Sequence, residues 1–462
     1  MAKDVFSKGL PPWKPFFFIA VLIVLIILGI AIFYVGAPPV INVQLTMPTI
    51  GKRTPMAIEV SESRRGLTRV RVELVQDDNI AVLDEKSYKP SMQIPFMGGK
   101  TQKDTLPVVA GLQALPEMKG GQAIIRVTAG RAGTWLRKPP DVVEELTLPV
   151  RLTPPSLQVT STQTYVTQGG SEAVTYRVGE TATLDGVRVG EFWFPGYPLP
   201  GGGPNDRFAL FAVPYDMSTP DVRLVAEDSA GNAAEAGFIG NFTRRRLSTD
   251  TIQVNDAFLN KVVPPILAQT PEFREHGTLL DSYVAINREM RESNAETIQA
   301  LAENTQKSFL WNKPFLMMPN SKPTANFAER RTYLYQGREI DQQDHLGIDL
   351  AQTRQALIPA ANDGVVVLAR FLGIYGNAVV IDHGYGLMTI YGHLSSIAVA
   401  EGQKVARGEA IGRTGETGLA GGDHLHYCTL LMGLPVNPIE WSDGNWIKNR
   451  IAGKLAFPFE PM

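Results

Sequence analysis

From Pro15 to Gly51 the chain carries no charged residue, 37 positions in succession, and inside that stretch Phe16 to Val35 reads FFFIAVLIVLIILGIAIFYV. At about 1.5 Å per residue, a helix of about twenty residues crosses a hydrocarbon layer of about 30 Å. Gly29 is the one glycine in the run, and there is no proline. A cleavable signal has a shorter apolar core, of about 7–15 residues, followed by a small-residue cleavage site. Here the core is longer and only Val35-Gly36-Ala37 follows it. The run predicts a retained transmembrane anchor over 16–36. Lys3, Lys8 and Lys14 precede it against Asp4, and the first charges beyond it are Lys52 and Arg53. The positive-inside rule then makes 1–15 a cytoplasmic N-terminus and places everything after about Ala37 outside the cytoplasm, in the periplasm or on the wall side. The expected localisation is the cytoplasmic (inner) membrane, single-pass.

The rest of the chain has a different character. Its 462 residues suggest about three domains. With 44% apolar and 19% charged residues it is not a disordered polyampholyte, and 43 Gly and 33 Pro exclude a coiled coil. The 44 basic and 46 acidic residues leave a net charge of -2, which argues against a nucleic-acid partner. A single cysteine, Cys428, excludes an intrachain disulfide framework and any multi-cysteine zinc or iron–sulfur site.

Residues 38–155 read as short strands, such as Thr68-Arg-Val-Arg-Val-Glu-Leu-Val75 with apolar residues at alternate positions, and Ala123-Ile-Ile-Arg-Val-Thr128. Turn formers such as Met97-Gly-Gly-Lys100 and Lys119-Gly-Gly121 separate them. Residues 156–249 repeat the style, and Arg223 to Asn232 reads as a last strand and turn of an immunoglobulin-like module. Two Ig-like β-sandwich domains are expected, with no catalytic constellation in either. Over 250–310 the pattern changes: Leu280, Tyr283, Ile286 and Met290 recur at three- or four-residue intervals, and Ile298 and Leu301 resume the face. This predicts a helical connector. His276 at its start reads as a surface or capping residue.

Five of the six histidines fall between 345 and 426. In Asp344-His-Leu-Gly-Ile-Asp-Leu350, alternation predicts a strand with His345 and Asp349 on one face and Gly347 leaving room for an ion. In Asp423-His-Leu-His-Tyr427, His424 and His426 again share a face, and Ile390-Tyr-Gly-His-Leu-Ser395 adds His393. Two imidazoles and a carboxylate meet the three-ligand count of a catalytic zinc with an open position for water. Histidines left over beside a metal serve as acid, base or oxyanion donor.

The segment 311–462 resembles the M23 family of zinc metallopeptidases, the lysostaphin/LytM-type peptidoglycan endopeptidases. The resemblance is carried by H-x-x-x-D at His345 to Asp349 and H-x-H at His424-Leu-His426, with Ile374 to Gly384 and Tyr391-Gly-His-Leu394 between them. Val405 to Gly412, Gly415-Glu-Thr-Gly418 and Gly433-Leu-Pro-Val-Asn-Pro438 also match. It implies a C-terminal antiparallel β-sheet metallopeptidase domain, with His345, Asp349 and His426 as ligands of Zn2+ and His393 and His424 as the catalytic pair. The implied substrate is a peptide bond in peptidoglycan, a stem peptide or crosslink, cleaved during cell-wall remodelling. Ala420-Gly-Gly-Asp423 replaces the family's frequent Ser-Thr-Gly-Pro, and Cys428 stands where a glutamate is frequent. Cys428 reads as a small buried hydrophobe. His383 resembles another family position and reads as structural, while Tyr333, Tyr335 and Tyr391 are candidates for a transition-state hydroxyl.

The fold class is thus mainly β. An alternative function is a catalytically silent scaffold that regulates another wall hydrolase, although all five expected residues are present. A transport adaptor with a biotinyl/lipoyl-like domain would account for Glu401 to Gly412 but leaves those five residues unexplained. The modules between anchor and enzyme also allow a regulatory protein partner that relieves occlusion of the groove.

Overall fold

The computed structural model describes residues 13–89, 100–134 and 137–461. Lys3, Asp4, Lys8 and part of the predicted turn at 97–100 lie outside these. The chain divides into two compact units, one of residues up to Pro154 with Glu227–Ala233, the other of Pro155–Ala226 with Ala234 onwards.

In the first unit the apolar run forms a helix, Trp13–Phe33, long and apolar enough to cross a membrane. It starts and stops three residues before the span 16–36. Pro15 is tolerated in the first turn, where its missing N–H has no intrahelical partner. The end is set by Gly36 at φ 86° and the prolines after it. Arg65 donates to the carbonyls of Ile32 and Tyr34, and Arg131 to those of Gly36 and Ala37, so the helix exit is tied to the strands that follow. Those strands form two antiparallel sheets, one of Val40–Leu45, Thr54–Ser61 and Lys103–Ala110, the other of Asn79–Ser87, Leu67–Gln76, Gly121–Arg131 and Val142–Val150. Alternation puts Met56, Ile58 and Val60 from the first sheet, and Val70, Val72 and Leu74 from the second, into one core.

The second unit begins with another pair of antiparallel sheets, built around Ser171–Val178 and Asp206–Ala212 in one and Ala182–Val189 and Val222–Asp228 in the other. Its core does not stop there. Phe208 stacks on Phe309 at 5.9 Å and meets Tyr385 edge-on at 5.0 Å, and one apolar cluster runs from Val166 to Phe457.

Strand Thr249–Val254 pairs in parallel with Glu329–Tyr335, which pairs antiparallel with Arg338–His345. Between the first two lie helices Asp256–Gln269, Leu279–Ala285 and Arg291–Ala302, the last two joined by a π turn over Ile286–Met290. A capping box at Thr278 and Asp281 starts the second helix. The periodic residues Tyr283, Ile286, Met290 and Ile298 are buried, so the apolar stripe faces inward. The first stretch of 250–310 is thus strand, not helix.

The last 140 residues centre on an antiparallel sheet, in the order Lys322–Ala325, Ile348–Ala351, Leu425–Leu431, Leu387–Leu394, Asn377–Asp382, Gly364–Phe371 and Lys404–Val405, with Leu434–Val436 on Leu425–Leu431. Its register sets Asp349 opposite His426 and His426 opposite Gly392, so three central strands deliver side chains to one spot.

Candidate active site

A straight strand would hold residues four apart at about 13 Å. His345 and Asp349 lie far closer, with Nε2 2.9 Å from Oδ1. The chain is therefore not one strand over 344–350. It breaks at Leu346-Gly347, where Arg338–His345 ends in one sheet and Ile348–Ala351 begins in another. The room at Gly347 is taken by the His426 side chain: a Cβ there would meet Cε1 of His426 at 2.6 Å.

Nδ1 of His426 lies 3.0 Å from both His345 Nε2 and Asp349 Oδ1. These three residues form a group able to hold a metal ion. His345 Nδ1 donates to the Asn326 carbonyl at 3.0 Å, so Nε2 carries the lone pair. Two ring nitrogens and a carboxylate oxygen within 3.0 Å of one another are placed as ligands of one cation would be. The donor set suits a divalent transition metal. Asp349 Oδ2 accepts from Arg331 Nη2 at 3.0 Å. Burial pushes the Asp349 carboxyl up, but His345, His424 and His426 hold it well below the usual carboxylate range. Burial pushes His426 down to about 4.

His393 and His424 face each other beside this group, with ring centroids 4.8 Å apart. His393 Nδ1 donates to the Thr417 carbonyl and His424 Nδ1 to that of Gly422, both at 2.8 Å. Each ring therefore presents Nε2 to the site, and that of His424 lies 3.5 Å from Asp349 Oδ1. His393 has φ 66°, the left-handed region. In the pairing with Asn377–Asp382, Gly392 and His393 stand opposite Ala378 alone, a bulge that re-aims the imidazole. Burial and the neighbouring histidines lower the pKa of His393, whereas Asp349 raises that of His424 against burial.

The structure thus brings His345, Asp349, His393, His424 and His426 together. His383 lies apart: Nδ1 donates to the Asp363 carbonyl at 2.7 Å and Nε2 is 2.8 Å from Thr389 Oγ1. Cys428 is buried, donates to the Leu346 carbonyl and has its thiol pKa pushed up by burial. Asp344, Asp382 and Asp423 are engaged elsewhere, with Arg330, Thr305 and Thr414. Of the three candidate tyrosines, Tyr333 lines the cavity over the cluster. Tyr335 donates to Asp256 and Tyr391 accepts from the Ala361 N–H, both away from it.

That cavity has a volume of about 430 Å³. The helices supply part of its wall through Phe258, Tyr283, Arg291 and Ile298, together with Tyr375, whose ring lies 5.5 Å from that of His426. Arg291, Arg331, Tyr283 and Tyr375 escape the sequence reading. The signal available for Arg331 is its period-two placement on the strand beside the H-x-x-x-D segment, and that for Tyr375 its place in the stretch Ile374 to Gly384, while nothing local marks Arg291 or Tyr283 as site residues.

The model of peptidase family M23 matches residues 343–438. Peptidoglycan DD-endopeptidase ShyA of Vibrio cholerae is 43% identical over 117 residues, 25% of this chain and 26% of that protein. DD-carboxypeptidase/endopeptidase Mpg of Neisseria meningitidis is 46% identical over 95 residues, 21% of this chain and 22% of that protein. The chain thus spans about a quarter of the length of the curated relatives it matches. A crystal structure solved as an M23 peptidase of Pseudomonas aeruginosa aligns with 60% of this chain and 94% of its own, at 21% identity and a TM-score of 0.38. All five clustered residues fall inside the matched segment, and this chain carries a domain of peptidase family M23.

Proposed function

We propose that this chain is a membrane-anchored zinc endopeptidase that hydrolyses peptide bonds of peptidoglycan, in a stem peptide or crosslink. The reading is carried by one observation: Nε2 of His345, Oδ1 of Asp349 and Nδ1 of His426 converge within 3.0 Å beside two further histidines in a cavity. The names of the relatives supply the substrate class. His345, Asp349 and His426 hold the metal. When bound, zinc polarises a carbonyl and makes a water more acidic.

The chain's own residues do the rest. The carbonyls of Thr417 and Gly422 fix the tautomers of His393 and His424, leaving each Nε2 as the atom that takes or gives a proton. One of the pair accepts a proton from the attacking water and returns it to the leaving amine. The other hydrogen-bonds the carbonyl oxygen as charge develops on it. The helical wall limits water in the cavity.

Helix Trp13–Phe33 serves as the single-pass anchor, with the rest of the chain in the periplasm. The sheet pairs over 38–155 and 156–249 act as Ig-like spacers, 250–310 as connector and 311–462 as the peptidase domain.

Digestion of purified sacculi by the full-length chain in detergent, followed by mass analysis, tests this. Zinc-loaded protein should release products shortened at peptide bonds, and His345→Ala none. Identical products from both proteins would sink the enzyme reading.

A further inference from the structure

Two arginines line the cavity, and they differ in one respect. Arg331 is committed to acids, to Asp349 at 3.0 Å and Glu329 at 3.4 Å. Arg291 has no carboxylate within ion-pair reach among the described residues. Its Nε donates to the Asn287 carbonyl at 3.1 Å and its Nη2 to Asn287 Oδ1 at 2.7 Å. Asn287 is fully buried, and its amide N–H donates to Asp341 Oδ2 at 2.8 Å. That bond turns Oδ1 towards Arg291. The guanidinium is thus braced from behind by a neutral side chain and has no ion-pair partner among the described residues. Asp250, the other acid of the lining besides Asp349, bonds the N–H of Thr251 instead.

Two hydroxyls accompany it. Tyr283 is 1% exposed and lines the cavity, yet its Oη has no hydrogen-bond partner among the described residues. Tyr375 is half-buried, lines the same cavity, and its Oη likewise has no hydrogen-bond partner among the described residues. Arg291, Tyr283 and Tyr375 line the same cavity. Tyr375 in turn packs on His426. Around them the wall is apolar, with Ile252, Phe258, Ile298 and Ile374. A positive fork with two spare hydroxyls and apolar walls is a poor place for water and a good one for a planar anion.

We propose that Arg291, Tyr283 and Tyr375 form a carboxylate-binding subsite that reads a free carboxylate on the peptide substrate, close to the bond that is cut. The inference rests on the peptidase reading and adds a substrate feature to it: the preferred peptide carries an unamidated carboxylate. Arg291 lies outside the segment 343–438, so the helices contribute specificity and not only packing.

The test uses full-length zinc-loaded protein in detergent and an acylated D-alanyl-D-alanine, as its free acid and as its C-terminal amide. Hydrolysis is measured on both, and calorimetric binding on their non-hydrolysable methyleneamine isosteres. A charge-assisted, partly buried contact should make the acid bind roughly tenfold or more tighter than the amide. Arg291→Met should bring that ratio to about one with zinc content retained, and Arg291→Lys should restore part of it. Equal binding of acid and amide by the wild type, or a ratio that survives Arg291→Met, overturns the subsite. Hydrolysis without discrimination removes the subsite and leaves the peptidase. Discrimination in binding without hydrolysis does the reverse.

Discussion

Asp349 divides its two oxygens between tasks. Oδ1 faces His345 and His426, and Oδ2 accepts from Arg331. A carboxylate free to rotate would present either oxygen, so the guanidinium fixes which one faces the two imidazoles. Arg331→Met should weaken zinc binding by roughly 10–100-fold in chelator competition, with the fold intact by circular dichroism. Unchanged zinc affinity would remove Arg331 from this role. His383 makes a separate prediction. Burial lowers its pKa to about 4, against about 6.5 in an unfolded chain. Between those values the unfolded state binds the proton and the folded state does not. Stability present above about pH 6.5 is therefore lost as pH falls towards about 4. His383→Asn keeps a donor for the Asp363 carbonyl and removes the titration. The wild type should lose up to about 3 kcal/mol more than this variant over that window, read from thermal melts of the C-terminal transition.

At the scale of elements, two local departures from a regular strand build the site. The break at Leu346-Gly347 folds His345 back onto Asp349, and the bulge at Gly392-His393 swings an imidazole off the pleat. Gly347→Ala places a methyl 2.6 Å from the His426 ring, which must move. Zinc per chain should fall well below one by elemental analysis, with secondary structure retained. Full zinc occupancy in that variant would show that the ring has another way out. Alternation over 344–350 puts His345 and Asp349 in one place, and the structure does so through a bend and not through one strand. Period two reports which residues share an environment, but a sharp bend and a straight strand can share the same pattern. In the same way, the helical periodicity of 280–301 is legible, while the π turn that orients Asn287 and Arg291 leaves no mark in the sequence.

At the scale of the molecule, the aromatic packing of Phe208 and Tyr197 on Tyr385 and Phe309 makes one core of the second sheet pair and the C-terminal sheet. A fragment of 311–462 alone exposes that apolar face, and it should aggregate on size-exclusion chromatography, whereas 155–462 elutes as a compact species. A soluble, monodisperse 311–462 would contradict the shared core. The helix Trp13–Phe33 has its own test. With the anchor retained, intact-mass analysis finds the N-terminus uncleaved and the chain in the membrane fraction. Removing residues 1–36 moves it to the soluble fraction. Cleavage near Ala37 would make the helix a signal instead.

By itself the sequence determined the apolar span, the β-rich composition and the five residues of the candidate site, because each is written as a run, a period or a spacing along the chain. Only the tertiary structure decided that Gly347 accommodates the His426 ring, that Arg331 locks Asp349, and that Arg291, Tyr283 and Tyr375 line the cavity with the histidines. The physical reason is distance along the chain. Arg291 is separated from His426 by 135 positions, and no local pattern encodes a shared cavity that forms only when helices pack on a sheet. A guanidinium with no ion-pair partner among the described residues is likewise invisible in a near-neutral composition, since charge balance over a chain says nothing about which charges meet.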